Sequence, residues 1–476
     1  MRDDINMNND KITNYLHEKR IDKPTTKKIY KSFVVLDDGS LAEEITNPDP
    51  MYAVYNPSTN TIDLRPTVQV GGKYIYPLDG DLVAKKVLLF PEKAEEFESI
   101  EALRLEIAAF IHKYVDIYPF YEELASYYVL LTWLFDKNTV ITYLGIYGDF
   151  GSGKTRAAQI IGSLCYKPAF VSGALTCAPI YRILEQARGT LVINEFDFDN
   201  SEMGVELIKI LNNGYEKGMH VLRAEPNTHK VQAFDAFSPK IFTYRKKKKD
   251  QAFESRLITI LMEETRREDI SVILPLEYEK EALSLRNKLL TFRFKNYYKD
   301  VKPDLSIFTG IERRIRQTLY PLLTVVEDPQ FIVTLGKFIK DLQQQQQIDR
   351  GMSWVADYLS ALIELTNTEE EITVKALADQ YNLEKVGKEI VSARRVGHVV
   401  REDFKLKTAR LTSGTHKGQY EINIDADKVK ALCLRYGIDI PEESSLYSPS
   451  SPSDQSQSED SELSEGAETI EGRIQA

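Results

Sequence analysis

The spacing of apolar residues changes several times along the 476 residues and divides the chain into segments. Residues 1–28 are polar, which predicts a flexible N-terminus. Over 29–92, short apolar runs such as YAVYN (52–56) alternate with turn residues, and this predicts a small β-rich domain to which the sequence assigns no role. Over 93–138, apolar residues recur every three or four positions, which predicts a helical linker.

The centre of the chain alternates strand-like runs with helical runs, a pattern typical of a parallel sheet covered by helices. We expect this α/β core and its trailing helices to span 139–342. Five glutamines begin a predicted linker at 343–351, and a compact unit of helices and short strands follows at 352–440. The last segment, 441–476, is rich in serine, proline and acids, and it is expected to be disordered because it has little apolar surface to bury.

Charge is distributed unevenly, so the net charge of −11 does not describe any one surface. Segment 441–476 carries nine acids and one base, which leaves a net charge of only −3 on the first 440 residues. Within 392–418, seven bases accompany two acids. The acidic tail and this basic stripe are therefore separate features, and the stripe is a candidate nucleic-acid surface.

Composition also excludes some classes of protein. No uninterrupted apolar run approaches the roughly 20 residues of a membrane span, and the polar start is unlike a signal peptide. Cys165, Cys177 and Cys433 have no metal-ligand spacing and are expected to be small core residues in a reducing cell interior. The sequence therefore predicts an intracellular, cytoplasmic protein without a membrane partner.

The segment GDFGSGKT, at 148–155, carries the clearest chemical motif. It fits the phosphate-binding pattern G-x-x-x-x-G-K-[S/T] and lies between a strand-like run and a helical run. Backbone N–H groups of such a turn wrap phosphates, the lysine reaches the terminal phosphates, and the threonine hydroxyl ligates magnesium. We predict that ATP and Mg²⁺ bind at Gly148, Asp149, Phe150, Gly151, Ser152, Gly153, Lys154 and Thr155. The alternative is a glycine-rich turn with an incidental lysine.

A second strand, in GTLVINEFDFD (189–199), is expected to bring acids beside the phosphates. Glu195 is placed to orient and activate the attacking water. Asn194 stands where an aspartate usually holds the magnesium shell and is, with Thr155, a candidate metal residue. Because Asn194 is neutral, either metal affinity is weaker or Asp197 substitutes. The alternative is a strand end with ordinary surface acids.

These two motifs together resemble those of AAA+ ATPases, and more narrowly the replication ATPases of phages, plasmids and archaeal viruses. Those proteins are related in layout to superfamily 3 and minichromosome-maintenance helicases. The resemblance covers about 99–293. It implies a homo-oligomeric ring, with six subunits as the implied number, and a gene of viral or plasmid origin.

The resemblance assigns further roles by position. Thr243, at the end of PKIFTY, matches the polar sensor 1 residue, and Arg256, in AFESRLITI, matches the arginine finger that reaches a neighbour's ATP. His229 and Lys230 lie at the tip of a predicted hairpin that matches the channel hairpin of those helicases. The alternatives are that Thr243 is an ordinary strand residue, that Arg256 is a surface ion-pair partner, and that His229 and Lys230 are solvated turn residues. Arg286 and Arg293 are weak candidates for a second ATP sensor, with an exposed helix as the alternative.

The unit at 352–440 resembles a winged-helix domain, because two predicted helices precede two strands joined by SGTHK. Bases on its second helix could face one groove of duplex DNA, and bases of the wing could contact phosphates. The candidate DNA-binding residues here are Arg394, Arg395, His398, Arg401, Lys405, Lys407, Arg410 and Lys417. The alternative is a winged helix that contacts protein.

Three functions fit these observations. The first is a ring-forming, ATP-dependent DNA helicase or replication ATPase, with a single strand in its channel, duplex at its winged helix and a replication partner on its acidic tail. The second is an ATP-regulated initiator or loader that assembles on DNA without translocating. The third is a DNA-binding scaffold with a degenerate ATP site. The hairpin favours the first over the second, and Glu195 together with Arg256 argues against the third.

Overall fold

The computed structural model describes residues 28–172, 177–197, 202–224, 231–246, 250–351, 353–369, 371–383, 385 and 390–440. The chain divides into two compact units between Lys340 and Asp341. The predicted flexible N-terminus (up to residue 27), the hairpin tip with His229 and Lys230, and the acidic tail lie outside the described residues.

Two small sheets form the N-terminal β-rich module. One is antiparallel in the order β2-β3-β4-β5, and the other has the order β1-β7-β6. Alternating apolar positions on these strands close a core of its own around Tyr52 and Val54. The strands are β1 Ile29–Tyr30, β2 Phe33–Val35, β3 Leu41–Thr46, β4 Pro50–Asn56, β5 Thr61–Arg65, β6 Val68–Val70 and β7 Lys73–Tyr76.

A parallel five-stranded sheet in the order β14-β8-β13-β10-β9 forms the centre of the first unit. Its middle strands are almost continuously apolar because helices cover both faces. On the outer edge of β9, the backbone at Leu88 forms an antiparallel bridge with Ala169. The strands are β8 Tyr143–Gly148, β9 Ala169–Ser172, β10 Leu191–Asn194, β13 Lys240–Tyr244 and β14 Leu257–Met262, with a separate hairpin of β11 His220–Ala224 and β12 Val231–Asp235.

Helices flank this sheet, and their ends follow local chemistry. The Ser99 hydroxyl accepts the Ala102 N–H and starts α2, and Pro119 occupies the first turn of α3. The helices of this part of the chain are α1 Asp81–Ala84, α2 Ile100–Tyr114, α3 Pro119–Trp133, α4 Lys154–Leu164, α5 Cys177–Ala187, α6 Glu202–Asn213, α7 Gln251–Glu254, α8 Glu277–Asn296, α9 Arg313–Leu323 and α10 Pro329–Gly351. The predicted fold class, an α/β parallel sheet with helical flanks and a small N-terminal β domain, is confirmed.

A buried ion network joins the β module to the α/β core. Glu43 of β3 lies 2.7 Å from the Lys167 amine and also pairs with Arg293 of α8. Arg293 in turn makes two hydrogen bonds to Asp136, at 2.9 and 2.8 Å. Two acids and two bases thus neutralise one another away from water, as burial of charge requires. Because Arg293 is fully buried in this network, the sequence-based alternative of an exposed helix is wrong, and the side chain is committed to structure.

Four helices in the described part of the second unit begin at a polar cap. Ser353, Thr373, Ser392 and Asp425 each accept a backbone N–H from the first turn of the helix they precede. β15 and β16 form an antiparallel ribbon, to which Thr373 adds a single bridge at Glu421. The elements are α11 Trp354–Thr368, α12 Val374–Asn382, α13 Ala393–Glu402, β15 Lys407–Arg410, β16 Tyr420–Asn423 and α14 Ala426–Tyr436.

The segment predicted as a glutamine-rich linker is helical. Residues 343–351 form the last part of α10, and the division between the two units falls inside this helix. Glutamine is a good helix former and no Gly or Pro precedes Gly351 within the segment, so nothing local ends the helix earlier.

Each described helix is too short or too polar to cross a bilayer.

Candidate nucleotide site

The predicted phosphate loop connects β8 directly to α4. Gly148 ends the strand where a Cβ atom would lie 2.5 Å from the Met262 carbonyl oxygen, so only glycine fits. Gly153 has φ of 83° and caps α4, a conformation that glycine adopts without strain. The loop therefore places the first N–H groups of α4 at the carboxyl end of the sheet, where an anion can bind.

The two polar residues that open α4 lie where the motif requires them. The Lys154 amine donates to the carbonyl of Asp149 across the loop. Burial lowers the pKa of this amine below its ordinary value, the neighbouring Arg245 lowers it further, and the carboxylate of Asp197 opposes the shift. Thr155 is exposed, and its hydroxyl donates to Asn194 Oδ1 at 3.1 Å.

Two neighbouring strand ends converge on the same point. Thr243, at the end of β13, donates its hydroxyl hydrogen to Asn194 Oδ1 at 2.9 Å and accepts the backbone N–H of Glu195 at 2.7 Å. Asn194 thus receives hydrogen bonds from both Thr155 and Thr243. The structure thus brings together four residues that the sequence analysis assigned to one site. The contacts involve the side chains of Thr155, Asn194 and Thr243 and the backbone N–H of Glu195.

Glu195 has an unusual backbone. Its φ of 58° lies in the left-handed region, which costs a non-glycine residue free energy, and such residues concentrate at functional sites. The Thr243 hydroxyl holds the N–H of Glu195, and the next N–H, of Phe196, donates to the Thr243 carbonyl at 2.8 Å. These bonds fix the turn and leave the Glu195 side chain exposed.

Asp197 is committed elsewhere. Its carboxylate accepts the N–H of Arg245 at 3.1 Å and the Arg245 Nε at 2.8 Å. Asp197 would therefore have to give up this two-point pairing with Arg245 before it could replace Asn194 as a metal ligand. Arg245 is a site residue that the sequence interpretation missed, because it begins the basic run RKKKK (245–249), and such runs usually form a solvated face. Its position directly after β13 was the available signal.

Magnesium fits the geometry of this edge. A hydroxyl that donates its hydrogen to Asn194 keeps its lone pairs, so Thr155 can still ligate a cation. Across the described part of the chain, no three His, Cys, Asp or Glu side chains cluster as metal ligands. A magnesium ion here would be held by one hydroxyl, substrate phosphate oxygens and water, and Mg²⁺ commonly keeps such a shell.

Arg256 lies at the opposite end of the sheet from the loop. β14 pairs with β8 from Leu257 to Met262, and Met262 lies beside Gly148, so Arg256 is roughly 20 Å from the candidate phosphate loop of its own chain. Its guanidinium lies 5.2 Å from the centre of the Tyr215 ring, and Arg314 lies 4.9 Å from the same ring. Burial, and then the charge of Arg314, lower the pKa of Arg256.

The candidate nucleic-acid residues of the second unit are solvent-exposed. Buried Val396, Val399 and Val400 hold α13 against its neighbours and leave its basic face in water. Of the eight bases, Lys405 is 3.4 Å from Glu402, and the others form no ion pair with any described residue. The exposed set is Arg394, Arg395, His398, Arg401, Lys405, Lys407, Arg410 and Lys417.

Comparisons with known proteins find solved structures to which the chain is similar, at low sequence identity and low TM-score. No protein-family model and no curated protein sequence matches it. The apo structure of the NrS-1 C-terminal region is similar at 12% identity and a TM-score of 0.37, covering 83% of this chain and 96% of that one. An A-form apo structure of the same region has 11% identity and a TM-score of 0.33, covering 80% and 96%. JCV helicase with a bound acetamide compound has 15% identity and a TM-score of 0.26, covering 55% and 65%.

Proposed function

We propose that this chain is a magnesium-dependent ATPase that acts on DNA as a ring-forming helicase or replication ATPase. The observation that carries the proposal is the convergence of Lys154, Thr155, Asn194, Glu195 and Thr243 at one edge of a parallel sheet. Direct hydrogen bonds of 2.7–3.1 Å link Thr155, Asn194, Thr243 and the Glu195 backbone.

Each residue has a role in phosphoryl transfer to water. The loop N–H groups and Lys154 bind the β- and γ-phosphates and stabilise the charge on them. Magnesium, when bound through Thr155, neutralises phosphate charge. Glu195 accepts a proton from the attacking water, and Thr243 fixes the turn that carries Glu195.

Arg256 completes the site only from another subunit. A guanidinium roughly 20 Å from its own loop cannot reach phosphates bound there. A rotationally symmetric ring would bring the same arginine to every neighbouring site, and a cation there stabilises the transition state. Six subunits is the number implied by the resemblance to AAA+ helicases.

The exposed bases of the second unit support the DNA-binding part of the proposal. Seven of them lack a described ionic partner, so phosphates could take that place with release of counterions. We propose that α12, α13 and the ribbon of β15 and β16 act as a winged helix on duplex DNA.

The test measures ATP turnover and strand displacement, with and without DNA, in wild-type protein and Lys154→Ala. Turnover with unwinding, both lost in the variant, supports the helicase. Turnover without unwinding supports an initiator or loader. Absence of turnover in wild-type protein contradicts the proposal and leaves a DNA-binding scaffold.

A further inference from the structure

A cavity of about 810 Å³ lies beside the nucleotide site, between α4, β9, the first half of α8 and the segment 83–92. Thr155 and Asn194 line one part of it. Most of the wall is apolar and is made of Leu88, Phe90, Phe170, Val192, Ala282 and Leu283. Its volume is that of a site for a small organic molecule.

Arg286 of α8 also lines the cavity and is only 6% exposed. Its Nη1 donates to the Ser163 carbonyl at 2.8 Å, but its buried Nε–H has no partner among the described residues. Burial lowers the pKa of this guanidinium to about 10, and the nearby charge of Glu92 opposes the shift. The sequence interpretation offered Arg286 as an ATP sensor or an exposed helix residue, and its burial excludes the second.

The two carboxylates that line the cavity do not pair with the Arg286 guanidinium. Glu92 and Glu279 line its rim and are exposed, and Glu279 lies 3.7 Å from Lys86. Neither carboxylate makes a hydrogen bond to Arg286 among the described residues. A buried cation with an unused donor is costly, and a hydrogen-bonded anion is the group that offsets this cost most completely.

We propose that this cavity binds a small organic anion, a carboxylate or sulfonate whose apolar body lies against Leu88, Phe90 and Leu283 and whose charge pairs with Arg286. Apolar walls with one buried guanidinium select an amphipathic ligand over both a hydrocarbon and a free inorganic ion. This binding does not depend on ATP hydrolysis, so it can be measured in the absence of nucleotide.

The experiment uses the full chain and 8-anilinonaphthalene-1-sulfonate as a fluorescent probe, with decanoate as competitor and neutral decanol as the matched control. Wild-type protein should bind the probe at one site, and decanoate should displace it at about tenfold lower concentration than decanol. Arg286→Met should weaken probe and decanoate binding about tenfold, and Arg286→Lys should bind with intermediate affinity because the charge remains but the planar donor fork is lost.

A second variant protects the test against misfolding of the arginine variants. Leu283→Trp fills the cavity without removing the charge, and it should abolish saturable probe binding while circular dichroism stays unchanged. Equal decanoate affinity in wild-type protein and folded Arg286→Met would overturn the proposal. Competitive displacement of the probe by Mg·ADP would also overturn it, because the cavity would then be part of the nucleotide site.

Discussion

At the residue scale, the site depends on hydrogen bonds that a few side chains share. Asn194 accepts from the two threonines, and Thr243 also holds the backbone of Glu195. The phosphate-loop motif and the end of the next acidic strand predicted Thr155, Asn194 and Glu195, and the resemblance to AAA+ ATPases predicted Thr243. It did not predict the left-handed backbone of Glu195 or the pairing of Asp197 with Arg245, since both depend on contacts 48 residues apart.

Glu195→Gln tests Glu195 as the proposed proton acceptor. The amide keeps the shape of the side chain but cannot accept a proton from water, so ATP turnover should fall at least about 100-fold. Affinity for Mg·ATP, measured by equilibrium binding of a fluorescent ATP analogue, should change less than about threefold. A variant with near wild-type turnover would show that another group activates the water.

Glu44 of β3 should make stability depend on pH. Burial raises its pKa from 4.5 to about 8, and the N–H of Leu78 only partly opposes the shift. The folded state therefore binds more protons than the unfolded state between these values. The free energy of unfolding should fall as pH rises through this window, by at most about 1.4 kcal/mol per pH unit from this group.

The matched variant is Glu44→Gln, which cannot titrate. Chemical unfolding at pH 5 to 8 should show the stability of the variant rising relative to wild-type protein as pH increases. Parallel pH profiles for the two proteins would show that Glu44 does not titrate in this window.

At the scale of elements, local signals predicted strands and helices better than they predicted where those elements pack. β8, the loop and α4 are contiguous in sequence, so the local motif predicted their order. β3 carries Glu43 and Glu44 in LAEEIT, which looks like a half-exposed strand, yet both acids are buried. The burial of Glu43 follows from Lys167 and Arg293, which lie 124 and 250 residues further along the chain, and no local pattern contains that information. Glu44 instead accepts the backbone N–H of Leu78, 34 residues further along the chain.

The buried network should contribute strongly to stability. Glu43→Ala leaves Lys167 and Arg293 with one carboxylate fewer, which should lower the free energy of unfolding by about 3–5 kcal/mol. Glu106→Ala removes a pair with Lys288 on the same helix α8, but Glu106 is 42% exposed, so its loss should cost about 1 kcal/mol or less. Urea unfolding of both variants measures the difference, and equal losses would show that the network does not hold the β module to the core.

At the scale of the whole molecule, a single chain carries the groups proposed to bind and orient ATP, but its own Arg256 lies too far from the loop to stabilise the transition-state charge there. The resemblance predicted that Arg256 acts in trans, and its position at the far end of β14 agrees with a role outside its own site. The number of subunits and the path of DNA depend on copies and partners beyond one chain, which is why sequence and fold leave them as proposals.

Mixed assembly tests the action of Arg256 between subunits. Lys154→Ala and Arg256→Ala should each be inactive alone. An equimolar mixture should recover about a quarter of wild-type ATP turnover, because one interface in four joins an intact loop to an intact arginine. A mixture of Lys154→Ala with Thr155→Ala is the control and should recover nothing. Equal activity of both mixtures would contradict a role for Arg256 in trans.

The most direct measurement is the affinity of a fluorescent ATP analogue in the presence of Mg²⁺ for wild-type protein, Lys154→Ala and Arg394→Ala. Lys154 contacts the phosphates in this account, so its replacement should weaken binding by about 100-fold or more. Arg394→Ala changes an exposed base of the second unit and should bind the analogue as wild-type protein does. Undiminished affinity in Lys154→Ala would contradict the assignment of Gly148–Thr155 as the phosphate site.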